Sequence, residues 1–290
     1  LWADLERALG MLSSRFPHNS EGLHQFYSLQ NDLVEHLHQY FLTENSRAQV
    51  AAHQEEILQA FANLRATLRE HLTPEGRQSL ETLRHTLPVR QNNHDAFRFV
   101  TFNYTTVLDQ CLALVTRARR ELSLPGQIDW GHVQDVLHIH GTMGQRIILG
   151  VDNLEQIPND FGKSEELKLG FCKPSTNDML HTGNNAKFLD RINWSHVMVL
   201  YGLSLGDTDR TWWIALCQWL RANALHQIII YTRCEENAEI LPRIYLSHLQ
   251  AIERRIIQFD AACTEGNVLP ISSSQIHVIV NRNLFPFRLV

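Results

Sequence analysis

Cysteine is sparse and scattered in this chain of 290 residues. Its five cysteines, Cys111, Cys172, Cys217, Cys234 and Cys263, form no C-x-x-C pair, which argues against a zinc ribbon or a disulfide framework. No apolar run approaches the roughly 20 residues of a membrane-spanning helix. No charged-then-apolar leader of the secretory kind opens the chain. Positive charge is not in excess: 26 Lys and Arg face 31 Asp and Glu, a net charge of -5. The chain as a whole is therefore not drawn to nucleic acid or to an anionic membrane. Internal repeats and low-complexity tracts are also missing. These absences point to a globular protein of the reducing cytoplasm. With 44% hydrophobic and 20% charged residues, the chain can build one large domain or two smaller ones, each with its own core.

Two halves differ in periodicity. Residues 1–92 read as helical, with Leu1, Leu5, Ala8 and Leu12, then Leu29, Leu33, Leu37 and Phe41, then Ile57, Phe61, Leu64 and Leu68 at helical spacing. Thr73-Pro74 supplies a capping hydroxyl followed by proline at a first helical position. From Phe97 onward short β-branched and aromatic runs alternate with helical stretches. Strands are predicted at 97–103, 135–140, 146–151, 196–202, 227–232 and 276–281, and helices at 106–121, 209–223 and 236–255. That alternation predicts an α/β fold with a largely parallel sheet flanked by helices. The expected division is a helical segment or insertion at 1–95 and an α/β domain at 96–290. Residues 152–190, polar and punctuated by Pro158, Gly162, Pro174 and Gly183, read as a long functional loop or lid with some helix.

Three predicted strands end in polar residues, where open α/β sheets bind ligands. Phe99-Val100-Thr101-Phe102-Asn103 delivers Asn103, whose amide can hold a ribose hydroxyl or a water, or cap the helix that follows. Val136-Leu137-His138-Ile139-His140 places His138 and His140 on one face. The pair lacks further residues at metal-ligand spacing, so no metal is expected. His140, followed by Gly141, is a candidate general base, with a buried, hydrogen-bonded imidazole as its structural alternative. The third strand runs into Gly202-Leu203-Ser204-Leu205-Gly206. This fits a G-x-S-x-G nucleophile elbow, with Asp260 and His277 following in hydrolase order. It fits equally a turn of small residues that lets a ribose or phosphate approach a helix N-terminus. Trp212, Trp213 and Trp219 read as core, and His36, His38, His53, His71 and His85 as solvated helix surface.

These segments resemble two related protein groups. Thr101-Phe102-Asn103-Tyr104-Thr105 is similar to the sirtuin motif T-Q-N-x-D, His140-Gly141-Thr142 to H-G-S, and Gly202-Leu203-Ser204-Leu205 to G-T-S-L. More of the chain resembles the abortive-infection AbiH family of bacterial anti-phage defence. The matching segments are F-N-Y-T at 102–105, H-I-H-G at 138–141, G-V-D-N at 150–153, G-x-S-L-G-x-x-D at 202–209, and W-x-x-L-E at Trp2-Ala3-Asp4-Leu5-Glu6. The resemblance implies a Rossmann-like, sirtuin-like fold that takes NAD as substrate and cleaves it to nicotinamide and ADP-ribose. By that implication Asn103 and His140 are catalytic, and Thr101, Phe102, Thr105, Gly141, Thr142, Gly202, Ser204 and Asp209 line the nucleotide.

Three departures qualify the resemblance. Thr105 replaces an acid that bears on recognition of the nicotinamide amide. The zinc-ribbon cysteine pairs of deacetylases are absent. The glycine-rich first strand turn of the family is expected upstream of Leu1. Partners expected on this reading are NAD or a related nucleotide, a phage-derived trigger or partner defence protein, and further copies of the chain. The helical part would gate the pocket or build the oligomer. A nucleotide-sensing module without turnover and a serine hydrolase using Ser204 are the alternatives.

Overall fold

A computed structural model describes residues 2–87, 97–122, 135–234, 241–261 and 271–285. The boundary expected at 95/96 and the start of the helix expected at 236 lie outside these residues. The N-terminal part is helical: α1 (Trp2–Leu12), α2 (Ser20–Arg47), α3 (Gln54–Ala62), α4 (Leu64–His71) and α5 (Pro74–Thr86). Local chemistry sets several boundaries. Asn19 accepts the Gly22 N–H at 2.9 Å to start α2, and Thr73 accepts the Gly76 N–H at 3.2 Å, with Pro74 at the head of α5.

Among the described residues five short strands follow, all pairing in parallel. β1 (Val100–Thr101) pairs with β2 (Leu137–His138), and β3 (Val197–Leu200), β4 (Gln227–Thr232) and β5 (Ile276–Val280) form a second sheet in that order. Between them lie α6 (Val107–Leu122), α7 (Ser164–Phe171), α8 (Lys173–Met179), α9 (Asn184–Asn193), α10 (Arg210–Ala222) and α11 (Pro242–Ala261). The side-chain alternation of β4 shows how the layers form. Ile228 and Ile230 enter a core with Phe188 and Ile192 of α9, the tryptophans of α10, and Ile256 and Phe259 of α11. Ile229 and Tyr231 enter the opposite core, with Ile57 and Phe61 of α3, Leu64 of α4, and Cys111, Leu112 and Val115 of α6. Helices therefore cover both faces of a parallel sheet, which is why its strands are apolar throughout. Trp212, Trp213 and Trp219 are buried as expected. The N-terminal helices share cores with the α/β part. Leu9, Leu23, Phe26, Leu37 and Phe41 pack with Tyr104, Leu149, Val151, Phe161 and Phe171.

Four expectations are corrected. The single sheet is divided in two among the described residues, a β1–β2 pair of two residue pairs and a separate β3–β4–β5 sheet. Residues 146–151 form no strand. Their backbone is taken up one group at a time: Ile148 N–H donates to the His140 carbonyl, the Tyr104 hydroxyl donates to the Ile148 carbonyl, and the Gln30 amide donates to that of Leu149. Residues 152–190 are a packed wall rather than a lid, since α7, α8 and α9 bury Leu167, Phe171, Phe188 and Ile192. Two of the histidines read as solvated surface are tied down: His38 Nε2 meets the Met143 carbonyl at 2.9 Å, and His71 Nδ1 meets the Tyr231 hydroxyl at 3.0 Å. Among the described residues no helix is long and apolar enough to cross a membrane.

Candidate functional site

The register of β1 and β2 builds the site from the backbone. Thr101 lies opposite His138, so Asn103 and His140 come two residues beyond that pair, at neighbouring C-terminal strand ends. β3 ends beside them in the same core, through Leu200, Leu203 and Leu205. The segment after β3 is braced by Arg255 of α11, whose Nε donates to the Leu205 carbonyl at 2.9 Å and whose Nη2 reaches Asp207 at 2.6 Å. Trp213 Nε1 donates to the Gly206 carbonyl at 2.8 Å. These contacts carry the chain into the turn Asp207–Asp209, which points Asp209 back at β2.

His140 is only 3% exposed. Its Nε2 lies 2.9 Å from Asp209 Oδ1, and the same oxygen accepts from Lys173 Nζ at 2.8 Å. Lys173, itself 1% exposed, is also 2.7 Å from Glu6 Oε2, and Glu6 is 4% exposed. Imidazole, carboxylate, ammonium and carboxyl thus form one buried chain drawn from β2, the turn before α10, α8 and α1. Phe102 meets the imidazole edge-on at 5.2 Å and stacks on Trp213. His140 Nδ1 is buried without a hydrogen-bond partner.

The electrostatics follow from burial and from these partners. Burial pushes Asp209 up, but Lys173 and then His140 overcome it and hold the carboxyl well below the usual range. Asp209 is therefore an acceptor at both contacts, His140 carries its proton on Nε2, and Nδ1 keeps a free lone pair. Burial, then Lys173, lowers His140 against the pull of Asp209, so the imidazole is neutral near pH 7. Burial above all raises Glu6 to about 7. Asp152, raised by burial, accepts the Thr211 N–H at 2.7 Å and caps α10 next to the cluster.

The other sequence-predicted residues divide into two groups. Asn103 is exposed. It does not cap α6, because Asn45 of α2 accepts from the Thr106 N–H and hydroxyl, each at 3.1 Å. The Thr101 hydroxyl, buried, accepts the Asn103 N–H at 3.1 Å. Gly141 has φ +79 and turns the chain sharply after His140, with the Arg146 carbonyl where a Cβ would stand. Gly202 has φ +68 with open space beside its Cα, and Ser204 is exposed next to it. Thr105 is half-buried ahead of α6. Thr142 lies apart from these: it is buried and lines a cavity of about 360 Å³ between α2 and residues 142–149, whose wall does not include His140.

His138 does not share a site with His140. It bonds Asp109 Oδ2 at 2.9 Å and the Asn103 carbonyl at 3.2 Å. Among the described residues no group of three His, Cys, Asp or Glu is arranged to hold a metal. The hydrolase constellation does not assemble either. Asp260 is held by Arg221 at 2.5 Å, and His277 on β5 by Gln227 at 2.7 Å.

Sequence reasoning missed Glu6 as a site residue, and it missed Lys173 and Asp152. Glu6 closes the W-x-x-L-E segment and Asp152 lies in G-V-D-N, so family motifs flagged two of the three. Lys173 lies in no motif.

The fold and site define a mixed α/β protein whose parallel strand ends meet a buried acid–base cluster. The chain belongs to the AbiH family: the model for bacteriophage abortive infection AbiH matches residues 1–231. That membership indicates a role in abortive-infection defence against phage. The match spans the N-terminal helices and the first four strands alike, and includes every member of the cluster. No match is found among curated proteins or among solved structures.

Proposed function

We propose that this protein is a sirtuin-like NAD glycohydrolase of phage defence, with Asn103 and His140 as its catalytic residues. The observation that carries the reading is His140. One nitrogen is locked to an ionised carboxylate and the other is an unpartnered base, at the strand end next to Asn103. In the reaction a water adds to the anomeric carbon of the nicotinamide ribose as the bond to the nicotinamide nitrogen breaks. The products are ADP-ribose, nicotinamide and a proton. Charge develops on the ribose as the bond breaks, so a fixed and deprotonated water is the group the protein must supply.

Asn103 holds the water or the ribose, and His140 Nδ1 takes the proton. Nδ1 is out of contact with bulk solvent, so the water it deprotonates is one admitted with the substrate. Gly202, with open space beside it, and exposed Ser204 let the nucleotide lie against the end of β3. Thr101 and Phe102 shape the floor. The test is NAD loss by the full-length protein against Asn103→Ala and His140→Ala. Both variants should lose at least a hundredfold in rate, within the range that a positioned acid–base group supplies. Equal loss in all three proteins removes the catalytic assignment.

The burial of His140 favours one second reading, a nucleotide-sensing site that binds without turnover. It gives dinucleotide-dependent thermal stabilisation with no nicotinamide formed. Either reading leaves open a phage-derived trigger, a partner protein or a second copy of the chain as what the helical part engages.

A further inference from the structure

Lys173 is a costly residue to have where it is. Taking an ammonium out of water is costly even after relaxation, and the desolvation of a buried ion pair can outweigh its attraction. Lys173 is 1% exposed, and its Nζ bridges Glu6 at 2.7 Å and Asp209 at 2.8 Å. The cluster has a structural alternative in which Lys173 merely pins α8 to α1. That alternative does not require it to share the one oxygen that also holds His140.

We propose that Lys173 and Glu6 are positioning residues for His140: Lys173 keeps Asp209 ionised and fixed so that His140 carries its proton on Nε2 and presents Nδ1 as the free base, and Glu6 holds Lys173 in place. The proposal rests on His140 being the acting base, and concerns which of its nitrogens acts and what decides it. The groups facing the cluster are few. Glu6 faces Lys173, Asp209, Thr208 and the Tyr104 hydroxyl; His140 faces Asp209, Lys173, Asp152 and the rings of Phe102 and Tyr104.

With Lys173 charged, Asp209 ionised and Glu6 about half-protonated at pH 7, Lys173 already offsets most of the negative charge and the imidazole is not needed to balance it. Without Lys173, the nearest charge to His140 is a lone carboxylate, and the imidazolium becomes its natural partner. Without the Glu6 charge, Lys173 and Asp209 still pair, and His140 stays neutral.

The experiment is histidine nitrogen NMR on the full-length protein, following His140 in wild type, Glu6→Gln, Lys173→Met, Lys173→Arg and the double variant Glu6→Gln/Lys173→Met. In wild type His140 should be the neutral Nε2–H tautomer at pH 7, titrating below an ordinary histidine. Lys173→Met and the double variant should raise its midpoint by about one pH unit or more. Glu6→Gln should leave it low, and Lys173→Arg should restore it. The double variant leaves one fewer unpaired carboxyl group, so it serves as the reading if the single variant does not fold.

An Nδ1–H tautomer in wild type overturns the proposal, as does a wild-type midpoint in either protein lacking Lys173. NAD loss measured on the same samples separates this from the proposed activity. Shifted midpoints with no turnover in wild type keep the positioning role and sink the glycohydrolase. Turnover with unmoved midpoints does the reverse.

Discussion

Replacing Glu6 by Gln tests the electrostatics of the cluster through stability alone. The change keeps the shape and an acceptor for Lys173, and removes one ionisable group. Glu6 titrates near 4.5 in the unfolded chain and at about 7 in the folded one, chiefly because it is buried. Its folded-state value is raised, so the stability it contributes is fully present below about pH 4.5 and is lost as pH rises through 7. The gap is about 2.5 pH units, and at 1.36 kcal/mol per unit the loss amounts to about 3 kcal/mol.

Asp209 runs the other way. Its folded value is depressed, so its contribution is present at neutral pH and lost only in acid, below this window. His140 is lowered in the folded state and costs stability as pH falls below 6.5, but it does so in both proteins and cancels in the difference. Urea unfolding at pH 5, 6, 7 and 8 gives that difference directly. The Gln variant should gain on wild type from pH 5 to pH 7 and level off toward pH 8, by about 2 to 3 kcal/mol over that window. A difference that stays flat with pH, or a variant that falls behind at pH 8, would show Glu6 to be ionised and paired throughout. The argument from burial would then be wrong.

Other perturbations follow from single contacts. Gly141→Ala places a Cβ 1.7 Å from the Arg146 carbonyl oxygen at a φ of +79, and should cost about 2 kcal/mol or more in a chemical-denaturation midpoint. Asp260→Asn leaves the buried Arg221 guanidinium without its carboxylate, and should cost about 3–5 kcal/mol by the same measurement. Asn159 ties residues 13–16 to 159–161, donating to the Ser13 and Phe16 carbonyls at 3.2 and 3.0 Å and accepting from Phe161 at 2.9 Å. Its alanine variant should lower stability by roughly 2–3 kcal/mol. Ser204→Ala, at an exposed residue, should leave the thermal midpoint within a degree or so. The protein should take no label there from a fluorophosphonate, since the carboxylate and imidazole of a hydrolase triad are committed elsewhere.

Parts of this were open to sequence reasoning for identifiable reasons. β3, β4 and β5 were legible because a strand covered on both faces must be apolar throughout, and Val197–Leu200, Gln227–Thr232 and Ile276–Val280 nearly are. Residues 146–151 are also apolar at Ile147, Ile148, Leu149 and Val151 and fold differently, because composition reports burial and not which group accepts each backbone bond. The helices of 152–190 were obscured by Pro174 and Gly183. Yet Pro174 lies in the first turn of α8, where a missing N–H costs nothing, and Gly183 precedes α9 at φ +67. His140 and Asn103 were singled out because ligands of open parallel sheets bind at strand ends, and the register of β1 and β2 sets the two at neighbouring ends. Lys173 was not legible, since a lone lysine beside a proline reads as surface until the fold supplies two carboxyl groups around it.

The buried chain of paired groups also ties together parts of the polypeptide that are made far apart in time. Glu6 and Lys173 are 167 positions apart in the chain, and His140 and Asp209 are 69 apart. A polypeptide still emerging from the ribosome lacks the complete cluster until the turn carrying Asp209 has been made and the first helix has closed over Lys173. Contacts of such separation form late in folding. The complete cluster is therefore a property of the finished molecule. Losing the first helix, by cleavage or by displacement, would strip Lys173 of its Glu6 partner without touching the strand ends.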